Sequence, residues 1–352
     1  MEVSNVNETF YVASYGKGDK RGVYIVNMDK ETLHLELLEH ILTPDFPSYT
    51  ITTPHTLYIS YKNARSTNDG GGLGSFSIKG DHLVLNNNYS SSGRSYTHLC
   101  ISDDHKYIFA ANYHIGATAA YALDHGRIDH KIIAVRHTGL GPDLLKRQTG
   151  PHVHNVGFTP DGRFLYAVDL GADKIVMYHY QDGGKLVEDT EYTVNVQPGS
   201  GPRHLIFSKD GRYAYLSCEI ANTVMVFKYV DGRLLMIQNV STLPHHFKGF
   251  SAAAAIRLTS SGEHLFVSNR GHDSIAMYRV NKENGKISLL YMVHCASEPR
   301  DFNILDDQYL IVGCQKENKL QVMTFDEENE KLLLSDQELE IPEPVCITFK
   351  KE

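Results

Sequence analysis

Short apolar runs separated by polar turns recur along the whole chain, and no stretch sustains a helical period. The clearest unit, residues 200–228, reads GPRHLIF, SKDGR, YAYLSCE and then IANTVMVFK. That order predicts strand, tight turn, strand, loop and strand, with Gly211 at a turn position that calls for positive φ. The second strand runs back along the first. Arg203, at the start of one, and Glu219, at the end of the other, are therefore expected to meet on one rim.

The same lead returns as PHVHNVGFTPDGRFLYAVD from Pro151, SAAAAIRLTSSGEHLFVSN from Ser251 and PRDFNILDDQYLIVGC from Pro299. Weaker copies start at Ser95 (SYTHLCISDDHKYIFAAN) and Pro47 (PSYTITTPHTLYISY). Matching the copies by eye puts Tyr61, Asn112, Asp169, Asn269 and Cys314 at the position of Glu219. TFYVASY adds Tyr15, and the spacings run from 45 to 57 residues. Several short strands repeating at that period predict the blades of a β-propeller. TFYVASY lacks a preceding partner, and EPVCITFKK from Glu343 resembles a first strand with nothing after it. Joining the two closes the ring. The expected fold is all-β, a seven-bladed propeller in one domain over residues 1–352.

Composition adjusts this picture only slightly. A formal charge of −8 argues against a nonspecific nucleic-acid or anionic-membrane surface, so neither partner is expected. An anionic small molecule would need a local basic pocket. The five cysteines show no CxxC spacing and lie in or beside apolar strands, which suits reduced thiols. No signal-peptide pattern opens the chain and no apolar run reaches the ~20 residues of a membrane span. The expectation is a soluble, cytoplasmic protein; protein partners are left open. Two segments, residues 63–74 (NARSTNDGGGLG) and 136–150 (RHTGLGPDLLKRQTG), read as loops on the Glu219 rim. The first is a mobile loop or a glycine cradle for phosphate, without the Lys-Ser/Thr pair of a P-loop. The second could lay Arg136, His137, Lys146 and Arg147 over a pocket or simply be exposed.

In a repeat protein the residues shared by all copies build the scaffold, and those peculiar to one copy can carry a site. The turns containing Asp104, Asp161 and Asp210 are shared and belong to the far rim as turn formers. The Glu219 rim differs from copy to copy. Strand starts bring His152, His154, Arg203, His204 and Arg300; strand ends and the positions after them bring Asp169, Glu219, Arg270, Gln315 and Lys316. Cations with a carboxylate and a histidine suit an anionic substrate and proton transfer. The simpler readings are a rim salt bridge for Glu219 with Arg203, a turn cap for Asp169 and a satisfied strand histidine for His154. The HVH pair, His152 and His154, is a weak metal signal without a third ligand, so no metal and no cofactor are expected.

These stretches, together with HLFVSNRG and EPRDFNILDDQYLIVGCQK, resemble the seven-bladed lactonase family. That family includes bacterial cycloisomerase-type 6-phosphogluconolactonases and fungal carboxymuconate lactonizing enzymes. The match spans essentially the whole chain, with Cys218 where an asparagine is common. The resemblance implies metal-independent lactone chemistry on a small anionic lactone: hydrolysis of 6-phospho-D-glucono-1,5-lactone in the pentose phosphate pathway, or closure of a muconate. It assigns His154, Arg203, Glu219 and Arg270 to catalysis, with Glu219 or His154 as the base. His152, Asp169, His204, Arg300, Gln315 and Lys316 then bind substrate. A non-catalytic interaction platform and a metal-dependent gluconolactonase-type propeller are the competing classes.

Overall fold

The computed structural model describes residues 6–63, 71–90, 96–143, 146–181 and 183–351. These form seven four-stranded antiparallel sheets and one 3-10 turn, Gly18–Lys20. Blade one consists of Asn7–Tyr15, Arg21–Asp29 and Leu35–Leu42, closed on its inner side by Pro344–Phe349. Blades two to seven follow in chain order over residues 46–90, 96–136, 153–195, 202–241, 252–294 and 299–340. Ring closure is as expected: Phe10 pairs with Phe349, Tyr11 with Thr348, Val12 with Ile347 and Ala13 with Cys346.

Burial explains why the strands read differently along each blade. The second strands counted from the channel, such as Tyr213–Cys218 and Leu165–Asp169, are buried on both faces and apolar but for Ser217 and the terminal Asp169. Outermost strands such as Arg233–Ser241 have one solvated face and alternate. The core lies between blades. Phe164, Tyr166, Val168 and Met177 of blade four, for example, pack on Leu205, Leu216, Met225 and Phe227 of blade five. Close packing there requires glycine: a Cβ at Gly157 would stand 2.4 Å from Tyr166 Oη, whose hydroxyl donates to Leu205 O across the blades (2.9 Å).

The shared turns fall on one rim, as expected. Asp161 Oδ1 accepts from Thr159 Oγ1 at 2.7 Å and from the Arg163 amide; Asp210 accepts from Ser208 Oγ and the Arg212 amide in the same way. Gly211 has φ of +69°. Two loop expectations change. Residues 64–70 of the glycine-rich segment lie outside the described residues, but Gly72 and Gly74 belong to the strand Gly72–Lys79 rather than to a loop. Gly74 leaves room for the Tyr61 ring. Arg136 likewise ends the strand Arg127–Arg136, and the irregular connection begins after it.

Candidate active site

Two recurring backbone positions build the upper mouth of the channel. The first is a bulge near the start of each innermost strand. Pairing slips between Pro47 and Tyr49, Tyr96 and His98, Val153 and Asn155, Pro202 and His204, and Pro299 and Asp301. The residues left between these pairs are Ser48, Thr97, His154, Arg203 and Arg300, joined in the closing strand by Val345. A bulge re-aims a side chain, and all six line one small cavity of about 20 Å³ on the axis. Blade six slips between Ala253 and Ile256 and has alanines there.

The second position lies just past the in-register end of the next strand, and here the matching by eye was one residue out. Tyr61, Asn112, Asp169, Asn269 and Cys314 face the first residues of their third strands: Gly72, Ala117, Lys174, Ser274 and Lys319. In blade five the residue that does so is Cys218, opposite Thr223. Glu219 therefore belongs with Lys62, Tyr113, Leu170, Arg270 and Gln315; Tyr15, which follows the Ser14–Pro344 pair as Glu219 follows the Cys218–Pro202 pair, takes the same place in blade one. One residue of slip reverses the face. The Cys218 set is buried in the scaffold, whereas Tyr15, Lys62, Tyr113, Glu219 and Arg270 line the pocket together with Thr97, His114, Arg147, His154 and Arg300. The pocket measures about 190 Å³, below the ~300–1,000 Å³ of drug-sized sites and suited to one small metabolite. A larger cavity of about 700 Å³ opens at the opposite mouth, with Tyr49, Phe158, Tyr166, Phe207 and Phe349 among its walls and Arg257, Lys350 and Lys351 beside them. The converging charges make the smaller one the candidate site.

Glu219 sits at its centre, 2 % exposed. Arg203 Nε donates to Oε2 at 3.0 Å, Arg270 Nη2 lies 2.8 Å from the same oxygen, and Arg147 Nη2 donates to Oε1. Burial alone would raise its pKa, but Arg270, Arg203 and Arg147 outweigh it and hold the carboxyl well below the usual range. Burial and then Arg270 push the Arg203 guanidinium down to about 9. The carboxylate is thus a charged anchor for three guanidinium groups at neutral pH.

His154 is different. Its Nδ1 is buried and has no hydrogen-bond partner among the described residues. Burial first, then Arg203, holds its pKa well below 6.5, so the imidazole is neutral. Its ring lies 5.1 Å from that of His204, which in turn is 5.6 Å from His98. Arg203 Nη1 stands 3.2 and 3.3 Å from the two ring nitrogens of His204. Burial keeps His204 neutral as well and drives His98 down to about 3.

The other expected residues divide. His152 does not join His154: its Nδ1 lies 2.8 Å from Tyr113 O and its ring stacks on Tyr113, so the HVH pair does not converge. Asp169 is wholly buried away from the pocket. It accepts from the amides of His152, Gly171 and Ala172 and pairs with His137 at 2.9 Å, which makes it a turn cap. His204 lies deeper on the axis and lines the inner cavity. Gln315 Oε1 accepts from Arg300 Nη1 (3.4 Å). Lys316 is exposed at the rim, 3.0 Å from Glu298 Oε2. Of the second loop's basic residues, Arg147 enters the pocket and His137 is a buried scaffold residue. Sequence reasoning missed Lys62, Tyr113, Thr97 and Tyr15 as site residues. Their repeat positions, the bulge for Thr97 and the strand end for the other three, become a signal only once the register of each blade is known. Among the described residues no group of three or more His, Cys, Asp or Glu side chains is placed to hold a metal ion, and no helix is long and apolar enough to cross a membrane.

A closed ring of seven four-stranded sheets, with guanidinium groups gathered on one buried carboxylate at one mouth, defines the fold and its candidate site. Residues 9–349 match the model of the seven-bladed β-propeller lactonases, and the chain belongs to that family. It is 33% identical to the 6-phosphogluconolactonase of Bacillus subtilis over 96% of this chain and 97% of that protein. An uncharacterized Staphylococcus saprophyticus protein is 34% identical over 97% of this chain and 99% of its own. Among solved structures, the periplasmic gluconolactonase of Pseudomonas aeruginosa superposes with a TM-score of 0.91 at 29% identity, covering 97% of this chain and 99% of that one.

Proposed function

We propose that the protein hydrolyses a phosphorylated sugar lactone, 6-phospho-D-glucono-1,5-lactone being the best fit, as a cytoplasmic, metal-independent lactonase. The observation that carries this reading is the neutral His154, its Nδ1 without a hydrogen-bond partner among the described residues, beside three guanidinium groups gathered on one carboxylate. The cationic excess of the mouth suits a phosphorylated substrate in a chain whose overall charge is −8. The Bacillus subtilis relative bears the name of this activity.

The chemistry follows from the groups present. His154 Nδ1 takes a proton from water as its oxygen attacks the lactone carbonyl carbon. Arg203 and its neighbours stabilise the oxyanion that forms, supplying the charge that a Lewis acid supplies elsewhere. The bond from carbonyl carbon to ring oxygen then breaks, and the histidine returns its proton to that oxygen. One water is consumed and one hydroxy acid is released. Glu219 moves no proton here; it holds Arg147, Arg203 and Arg270 in place. This assigns the base to His154, which the sequence alone had left level with Glu219.

A blank-corrected assay on 6-phosphoglucono-1,5-lactone and glucono-1,5-lactone, with and without a chelator, tests the reading. Faster opening of the phosphorylated lactone, unchanged by chelator, is the expected result. No acceleration of either lactone overturns it.

A further inference from the structure

We propose that Lys62 and Arg300, set around the Tyr15 ring, form the subsite for the substrate's phosphate, a proposal that rests on the lactonase reading above. Four cations line the pocket, Lys62, Arg147, Arg270 and Arg300, and a fifth, Arg203, lines the small axial cavity next to it. Three are matched to Glu219, and Arg270 also has Glu298 at 3.9 Å. Among the described residues Lys62 and Arg300 have no carboxylate at ion-pair distance.

Instead both lie against one aromatic ring. Lys62 Nζ is 5.3 Å and Arg300 Cζ 5.6 Å from the Tyr15 centroid, within cation–π range. The attraction of a ring face is small compared with a matched anion. Burial and the Arg300 charge together lower the Lys62 pKa, which means that the two cations oppose one another. Glu343 acts on Lys62 in the favourable sense but only from beyond pairing distance. A dianion between the two cations would remove that repulsion and gain charge-assisted hydrogen bonds.

Position in the ring supports the assignment. Tyr15 and Lys62 stand at the pocket position of blades one and two, and Arg300 at the bulge of blade seven, so three consecutive blades supply the subsite. His154, Arg203, Glu219 and Arg270 come from blades four, five and six, across the same mouth. A lactone with its carbonyl over His154 and its phosphate over Tyr15 therefore spans the pocket. Arg270, which the resemblance assigns to catalysis, is already committed to carboxylates.

The test uses inorganic phosphate as the probe, by titration calorimetry, on the parent, Lys62→Met, Arg300→Gln and the conservative Lys62→Arg. Phosphate binding should weaken about 10- to 100-fold in the first two variants and recover in Lys62→Arg. The preference in kcat/KM for phosphorylated over unphosphorylated lactone should fall by a similar factor. Unchanged phosphate binding and unchanged preference in both variants overturn the subsite while leaving the lactonase reading intact. A parent that opens neither lactone but loses phosphate binding on Lys62→Met would overturn that reading and support the subsite.

Discussion

The two mouths of the channel are built from the same seven repeats and have little in common. At the lower mouth the repeats agree: turns such as 159–163 and 208–212 share an aspartate that closes on a Ser or Thr hydroxyl and a backbone amide. At the upper mouth the repeats disagree. One position holds Tyr15, Lys62, Tyr113, Leu170, Glu219, Arg270 and Gln315 in turn, and the bulge position varies as widely. The lower cavity is larger and more apolar, yet the three guanidinium groups gathered on Glu219 stand at the upper one. Cavity size and gathered charge part company here. A repeated scaffold holds unlike side chains at equivalent positions, each at a defined place on the rim, at no extra structural cost.

The largest effect expected is on both mouths together. Deleting residues 341–352 removes the closing strand, whose Val345 lines the upper cavity and whose Ile347, Thr348 and Phe349 line the lower one. Losing Val345, Cys346 and Ile347 from the core, with ~1.5–3 kcal/mol for each large apolar side chain, removes most of an ordinary domain's ~5–15 kcal/mol. Thermal unfolding should collapse to a broad, low transition; an unchanged melting temperature would show that the ring does not depend on this strand.

Next come two upper-mouth substitutions that separate base from anchor. His154→Asn should lower kcat by about 10²–10⁴-fold with little change in stability. Glu219→Gln leaves three guanidinium groups against a neutral amide and should cost about 3–5 kcal/mol of stability as well as activity. Arg203→Lys should not rescue, because an ammonium cannot reproduce the planar contact. If Glu219→Gln keeps its stability and His154→Asn its kcat, the roles have been assigned wrongly.

A third effect joins the mouths through the axial histidines. His98, His154 and His204 are held neutral in the folded protein, while unfolded histidine titrates near ~6.5. Below that pH the unfolded chain takes up protons that the folded one refuses. Stability should therefore fall with acid, by up to ~1.4 kcal/mol per pH unit for each histidine. Glu219, whose folded pKa is depressed, adds its own loss only further down, as pH drops through the carboxylate range. Melting temperatures between pH 7 and 5 measure the histidine part, and a single His98→Asn change should flatten the slope by about one third. A pH-independent melting temperature over that range would contradict the neutral axial stack.

The smallest effect lies at the lower mouth alone. Asp210→Ala loses the turn's hydrogen bonds, worth about 1 kcal/mol or less at so exposed a site, and should leave lactone opening untouched. A large loss of kcat from this change would remove the distinction between the mouths.

The ring, its closure and the pairing of Arg203 with Glu219 were legible in the chain. Strand periodicity and a turn between two antiparallel strands bring residues 16 apart to one rim whatever surrounds them. Lys62 and Tyr113 were not legible, because finding them requires the register of each blade. The bulges that shift register are marked by no residue type: proline, tyrosine, valine and alanine all precede the slip. Asp169 and Glu219 looked equivalent for the same reason. Sequence by itself determined the architecture, since local alternation and repetition are written along the chain. Tertiary structure alone decided which face each rim residue presents. A one-residue slip leaves composition and period unaltered yet sends one carboxylate into the scaffold and the next into the pocket.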